Sequence, residues 1–157
     1  MRLDRNQWAM RMALLTAQRS TCCRGQVGCV LLNSKGHVLS TGYNGVAAGL
    51  PHCNEENIVG HYEPYDTPVV DHPFACHKWS TSPDGCEAIH AEQNALLQCR
   101  SIYDIHTCYT TLSPCLTCTK LLLNTGCQVI IYAEEYRCSK GKDLWERAGR
   151  SWLTLEV

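Results

Sequence analysis

Surplus positive charge is missing from this chain. Fourteen Lys and Arg stand against fifteen Asp and Glu in 157 residues, and an isoelectric point near 6.6 leaves no electrostatic footprint for a polyanionic strand. Long apolar runs are missing too. None approaches a membrane span, and the N-terminal MRLDRNQWAM places charges where a signal peptide needs an apolar core. The expectation is a cytoplasmic protein with neither nucleic-acid nor membrane partners. Internal repeats and low-complexity tracts are lacking, so residues 1–157 are read as one domain, large enough to bury roughly two-thirds of its unfolded surface. Proline is scarce except in one stretch: residues 50–88 hold five of the six prolines, together with seven cysteines and histidines and no sustained periodicity. That stretch reads as a Cys/His/Pro-rich insertion, and loops of such length are usually functional or disordered.

What the chain has in quantity is cysteine. Twelve cysteines in a reducing compartment read as metal ligands and small buried apolar residues rather than disulfides. Two short stretches give some of them chemistry: His90-Ala91-Glu92 and Pro114-Cys115-Leu116-Thr117-Cys118. A lone CxxC is more often a structural zinc knuckle or redox pair, and a lone HxE usually means nothing. Together, in this order, each at a helix start and with one strand between, they supply an imidazole and two thiols, a three-ligand zinc set that keeps a fourth position open. Glu92 is left over to move protons. Cys115 and Cys118 share a helix face near its N-terminus, which favours thiolates. His90 and Glu92, two apart, reach one ion only if the helix begins near His90 and the ion lies off its end. Two thiolates and a neutral imidazole cancel the ion's charge, so its water is less acidic than in a three-histidine site and needs Glu92 as general base.

The remaining elements follow from pattern. Asp4 with Gln7 reads as a capping box opening a first helix, whose stripe of Trp8, Met12, Leu15 and Arg19 is expected to face the core. Residues 27–32 and 38–43 are β-rich runs joined by Asn-Ser-Lys-Gly, a hairpin. Gly42, Gly45 and Gly49 are expected to lead into a loop, and Pro83-Asp84-Gly85 marks a turn. Helices are expected from His90, over 116–123 and over 142–148, with strands at 106–111, 128–132 and 152–155. Strands alternating with helices after a hairpin imply an α/β fold, a mixed sheet covered on both faces.

The segments HAEQNAL (90–96), TLSPCLTC (111–118) and STGYNG (40–45) resemble the deoxycytidylate deaminases of the cytidine deaminase superfamily, phage-type members in particular. H-x-E with P-C-x-x-C is the general signature of zinc deaminases acting on cytosine or adenine. The resemblance implies a three-layer α/β/α fold around a five-stranded mixed sheet. It also implies hydrolysis of dCMP to dUMP and ammonia, supplying dUMP for thymidylate synthesis. Glu92 would take the water proton, deliver it to N3 as C4 is attacked, and protonate the departing ammonia. His90, Cys115 and Cys118 would hold the catalytic zinc. A second, structural zinc is implied at Cys22, Cys53, His77 and a fourth ligand, for which Cys86 is preferred over Glu87 or Cys76. By the same likeness Asn44 meets the sugar, Tyr136 and Arg137 meet the 5′-phosphate, and Arg24 is a further candidate. The family further implies a homohexamer in the host cytoplasm of a phage, activated by dCTP and inhibited by dTTP. Those triphosphates would bind with Mg²⁺ at Tyr43, Asn44, Gly45 and Gly49, where glycines let backbone amides approach an anion. Two other classes share parts of the pattern. A nucleic-acid deaminase needs a basic channel with aromatic platforms, which the neutral charge opposes; a zinc-binding module without catalysis needs no Glu92.

Overall fold

A computed structural model describes residues 1–22, 25–50, 52, 88–136 and 138–157. Arg24, Cys53, Cys76, His77, Cys86, Glu87, Arg137 and the expected turn at 83–85 lie outside the described residues. Strands β1 (Gly28–Asn33), β2 (Val38–Tyr43), β5 (Ile105–Leu112), β6 (Val129–Glu134) and β7 (Ser151–Thr154) form one sheet in the order β2-β1-β5-β6-β7. β1 runs antiparallel to both neighbours, whereas β5, β6 and β7 are parallel. The mixed character follows from the connections. A tight turn returns β1 into β2, with the Asn33 side chain accepting from the amides of Lys35 and His37 and Gly36 at φ +83°. The parallel pairs are joined by helical crossovers.

Strand alternation separates the two helical layers. Cys29, Leu31, Cys108, Ile130 and Tyr132 face α2 (Ala91–Gln98), α3 (Leu116–Leu123) and α4 (Lys140–Arg147). Val30, Leu32, Tyr109 and Ile131 face α1 (Arg5–Ala17). This is the expected α/β/α arrangement, and among the described residues no helix is long and apolar enough to cross a membrane.

Three expectations are corrected. The buried face of α1 is Ala9, Met10, Ala13 and Ala17, while Trp8 and Leu15 are exposed. Small residues win because α1 lies almost on the sheet backbone: a Cβ at Gly28 would come within 2.0 Å of the Ala13 carbonyl oxygen. The capping box is half-formed. Asp4 accepts from the Gln7 amide at 2.9 Å, but the Gln7 side chain reaches instead to the Glu156 carbonyl at 3.0 Å. The glycine-bearing stretch after β2 is not wholly loop, since β3 (Gly45–Val46) pairs antiparallel with β4 (Ala88–Ile89). This two-stranded ladder ties the two ends of the 50–88 insertion together directly before His90.

Candidate active site

The helix carrying His90 and Glu92 is placed by β2. A Cβ at Gly42 would lie 2.3 Å from both the Ala91 carbonyl oxygen and the Ala95 nitrogen, so only glycine lets α2 approach this closely. Two hydrogen bonds hold the contact: Asn94 Nδ2 donates to the Tyr43 carbonyl at 2.8 Å, and Ser40 Oγ to the Ala95 carbonyl at 2.7 Å. His90 is the extended N-cap residue, with its backbone amide donating to Gln93 Oε1 at 2.8 Å. Because α2 starts at Ala91, as the spacing requires, the imidazole departs from the helix end while Glu92 occupies the first turn.

α3 begins one residue after Cys115, whose sulfur accepts from the Cys118 amide at 3.5 Å. His90 Nδ1 lies 3.5 Å from Cys115 Sγ and 3.4 Å from Cys118 Sγ, and the three donor atoms fall within 4.8 Å of one another. Tetrahedral zinc with Zn–S near 2.3 Å and Zn–N near 2.0 Å demands N···S separations of about 3.6 Å, so the triad fits zinc in both donor type and spacing.

The protonation tendencies agree with that assignment. Cys115 is pushed down to about 4 by hydrogen bonds from Cys118 and His90. His90 is raised by the facing Cys115 sulfur, with burial opposing, and Cys118 is raised by Cys115 and by burial. The cluster thus holds one negative charge easily and resists a second. A bound cation removes the resistance, because a coordinating thiol is deprotonated and a coordinating imidazole is neutral.

Glu92 is 3 % exposed and receives Thr110 Oγ1 at 3.3 Å from Oε1. Burial, first among the causes, raises its carboxyl above the usual range, with His90 pulling the other way. It opens onto a cavity of about 270 Å³ lined in part by Cys22, Asn44, His90, Ser113, Cys115 and Tyr136. Asn44 uses its amide to organise one wall: Oδ1 accepts from the Val27 amide and Nδ2 donates to the Gly25 carbonyl, both at 2.8 Å. One N–H and one lone pair remain for a ligand. On the opposite wall the Tyr136 amide donates to Ser113 Oγ at 2.6 Å. Cys22 is at the rim, its amide bonded to Ser20 Oγ at 3.2 Å. Tyr43 and Gly45 lie outside this cavity, Gly45 with open space where a Cβ would stand, and Gly49 has φ +90°.

Thr110, Ser113 and Gln93 escaped the motif reading. Only strand alternation, which puts Thr110 on the Cys108 face of β5, hinted at any of them.

Comparison with known proteins agrees with this geometry. The model of the cytidine and deoxycytidylate deaminase zinc-binding region matches residues 3–134. ComE operon protein 2 of Bacillus subtilis is 34 % identical over 99 % of this chain and 74 % of its own length. The deoxycytidylate deaminase of Mycobacterium phage D29 is 34 % identical over 85 % of this chain and 98 % of its own. Among solved structures, dCMP deaminase from the cyanophage S-TIM5 in complex with dCMP and dUMP superposes with a TM-score of 0.72 at 26 % identity, covering 99 % of each chain. A zinc-ready His/Cys/Cys triad beside a buried glutamate, on this sheet and under this family model, makes the chain a member of the cytidine and deoxycytidylate deaminase family.

Proposed function

We propose that this protein hydrolyses dCMP to dUMP and ammonia. The observation that carries the reading is the buried Glu92 carboxyl beside the His90, Cys115 and Cys118 cluster, with Glu92, His90 and Cys115 lining the cavity; the phage enzymes it is similar to point to the deoxycytidine monophosphate. His90, Cys115 and Cys118 would hold zinc, which when bound would supply the Lewis acid that makes a water nucleophilic at neutral pH. Glu92 would take one proton from the attacking water and pass it to N3 of the cytosine as the C4–O bond forms, then take the second proton from the new C4 hydroxyl and deliver it to the amine, so that C4=O forms as the C4–N bond breaks and ammonia leaves. Burial strengthens its hold on a proton, as the task of accepting one from water requires. Asn44 offers its spare amide groups to the sugar, and Tyr136, with Arg24 and Arg137, is placed in this reading at the phosphate end.

The finer points belong to the same proposal. Cys22 together with Cys53, His77 and Cys86 would hold a second zinc. Tyr43, Asn44, Gly45 and Gly49 would bind dCTP or dTTP with Mg²⁺ in a homohexamer. The deciding experiment measures ammonia release from dCMP and from cytosine-containing oligonucleotides, with zinc counted per chain. Turnover of dCMP alone supports the reading; turnover of oligonucleotides alone, or none at all by zinc-loaded protein, overturns it.

A further inference from the structure

We propose that Thr110 is a positioning residue for the deamination: its hydroxyl holds Oε1 of Glu92, so that Oε2 is the oxygen presented to the reacting atoms. This rests on Glu92 being the proton carrier of the proposed function. Thr110 lies on β5 with no exposed surface, on the strand face turned toward α2. Its Oγ1 is 3.3 Å from Glu92 Oε1 and 2.8 Å from the Leu112 carbonyl oxygen. Valine has the same shape and a higher affinity for a buried strand, so a hydroxyl here costs desolvation unless it is used.

Its one proton and two lone pairs serve two neighbouring oxygens in turn: toward an ionised Glu92 the hydroxyl donates to Oε1, and toward a protonated Glu92 it accepts from the carboxyl while donating to the Leu112 carbonyl on the cavity wall. Leu112 precedes Ser113, whose Oγ accepts from the Tyr136 amide at 2.6 Å. Thr110 therefore ties the Glu92 carboxyl to the wall against which Tyr136 rests. Without it, the buried Glu92 carboxyl keeps its hydrogen bonds to its own backbone and to Cys118 but loses its anchor to this wall, and the plane of the carboxyl is less closely fixed. Errors of position at a proton carrier fall on the chemical step and spare substrate binding.

The test uses the zinc-loaded full chain with Thr110→Val and Thr110→Ser. Thr110→Val is expected to lower kcat by about ten- to a hundredfold, with KM and zinc content unchanged and Tm lowered by no more than the loss of one buried hydrogen bond, and Thr110→Ser to restore most of the rate. In parallel, infrared difference spectra taken against Glu92→Gln isolate the Glu92 carboxyl band. That band is expected to shift in Thr110→Val and to return in Thr110→Ser. A Val variant with wild-type kcat, one that loses zinc or raises KM alone, or a carboxyl band that does not move overturns the proposal. Wild-type protein inert toward dCMP would overturn the proposed function instead, while the infrared comparison still decides whether Thr110 orients Glu92.

Discussion

Glu92 combines two requirements that pull against each other. A carboxylate without water around it is costly, and burial accordingly raises the Glu92 pKa. For stability the sign is unfavourable: with its folded pKa above the unfolded one, the native state binds more protons, and stability falls as pH rises through that interval. At neutral pH the ionised carboxyl is therefore a burden in the metal-free chain. Glu92→Gln removes it, so the stripped variant should melt no lower than stripped wild type at pH 7, and higher relative to it than at pH 4. Activity moves the other way. An amide keeps the shape but cannot carry a proton, and turnover of dCMP should fall by about 10²–10⁴-fold with zinc content intact; ammonia release at the wild-type rate would remove Glu92 from the mechanism.

Elements carry these residues, and two contacts set where the elements lie. β2 has glycine at 42 because α2 needs the space of a side chain, whereas a Cβ at Gly45 meets nothing within 4 Å among the described residues. Gly42→Ala should cost about 3 kcal/mol and displace His90 and Glu92 together, with loss of zinc affinity; Gly45→Ala should leave Tm unaltered. Thermal melts with zinc titration separate the two. At the far end of α3, Arg150 donates to the carbonyls of Leu122, Leu123 and Cys127 and stacks over Trp145 at 5.1 Å. The guanidinium thus satisfies terminal carbonyls of the helix whose other end holds Cys115 and Cys118. Arg150→Met should cost about 2 kcal/mol, lowering Tm by about 6 °C, and unchanged melting would show that water replaces it. Neither contact was legible in the sequence. His90, Glu92, Cys115 and Cys118 were, because metal chemistry demands particular residue types at short spacing. Gly42, Thr110 and Arg150 act on segments 18 to 53 positions away, and nothing in a local window distinguishes them. Periodicity also misjudged α1, since it counts bulk, while the close approach at Gly28 selects alanines.

On the scale of the whole molecule, the sheet order was readable from alternating elements, and the β3–β4 ladder was not, since two-residue strands carry no pattern. That ladder bears on regulation. β3 contains Gly45, follows Tyr43 and Asn44 directly, and closes against Ala88–Ile89, the residues that lead into His90. Asn44 in turn holds Gly25 and Val27 on the cavity wall. A triphosphate bound at residues 43–45, as proposed, would therefore pull on both the ligand-bearing helix start and the substrate wall. Contact alone changes no rate: the effector must bind one state of the assembly more tightly than another, and substrate must discriminate between the same states. If the proposed dCTP and dTTP site is real, dCMP kinetics should be sigmoidal without effector, become hyperbolic with dCTP and Mg²⁺, and be suppressed by dTTP. A Cβ at 45 meets nothing among the described residues, so Gly45→Val should retain zinc, Tm and maximal rate while losing the response to both nucleotides by blocking their approach to the backbone. Steady-state kinetics across dCMP concentrations decide it, and hyperbolic curves indifferent to either triphosphate in wild type would leave residues 43–49 with the structural task of carrying the insertion.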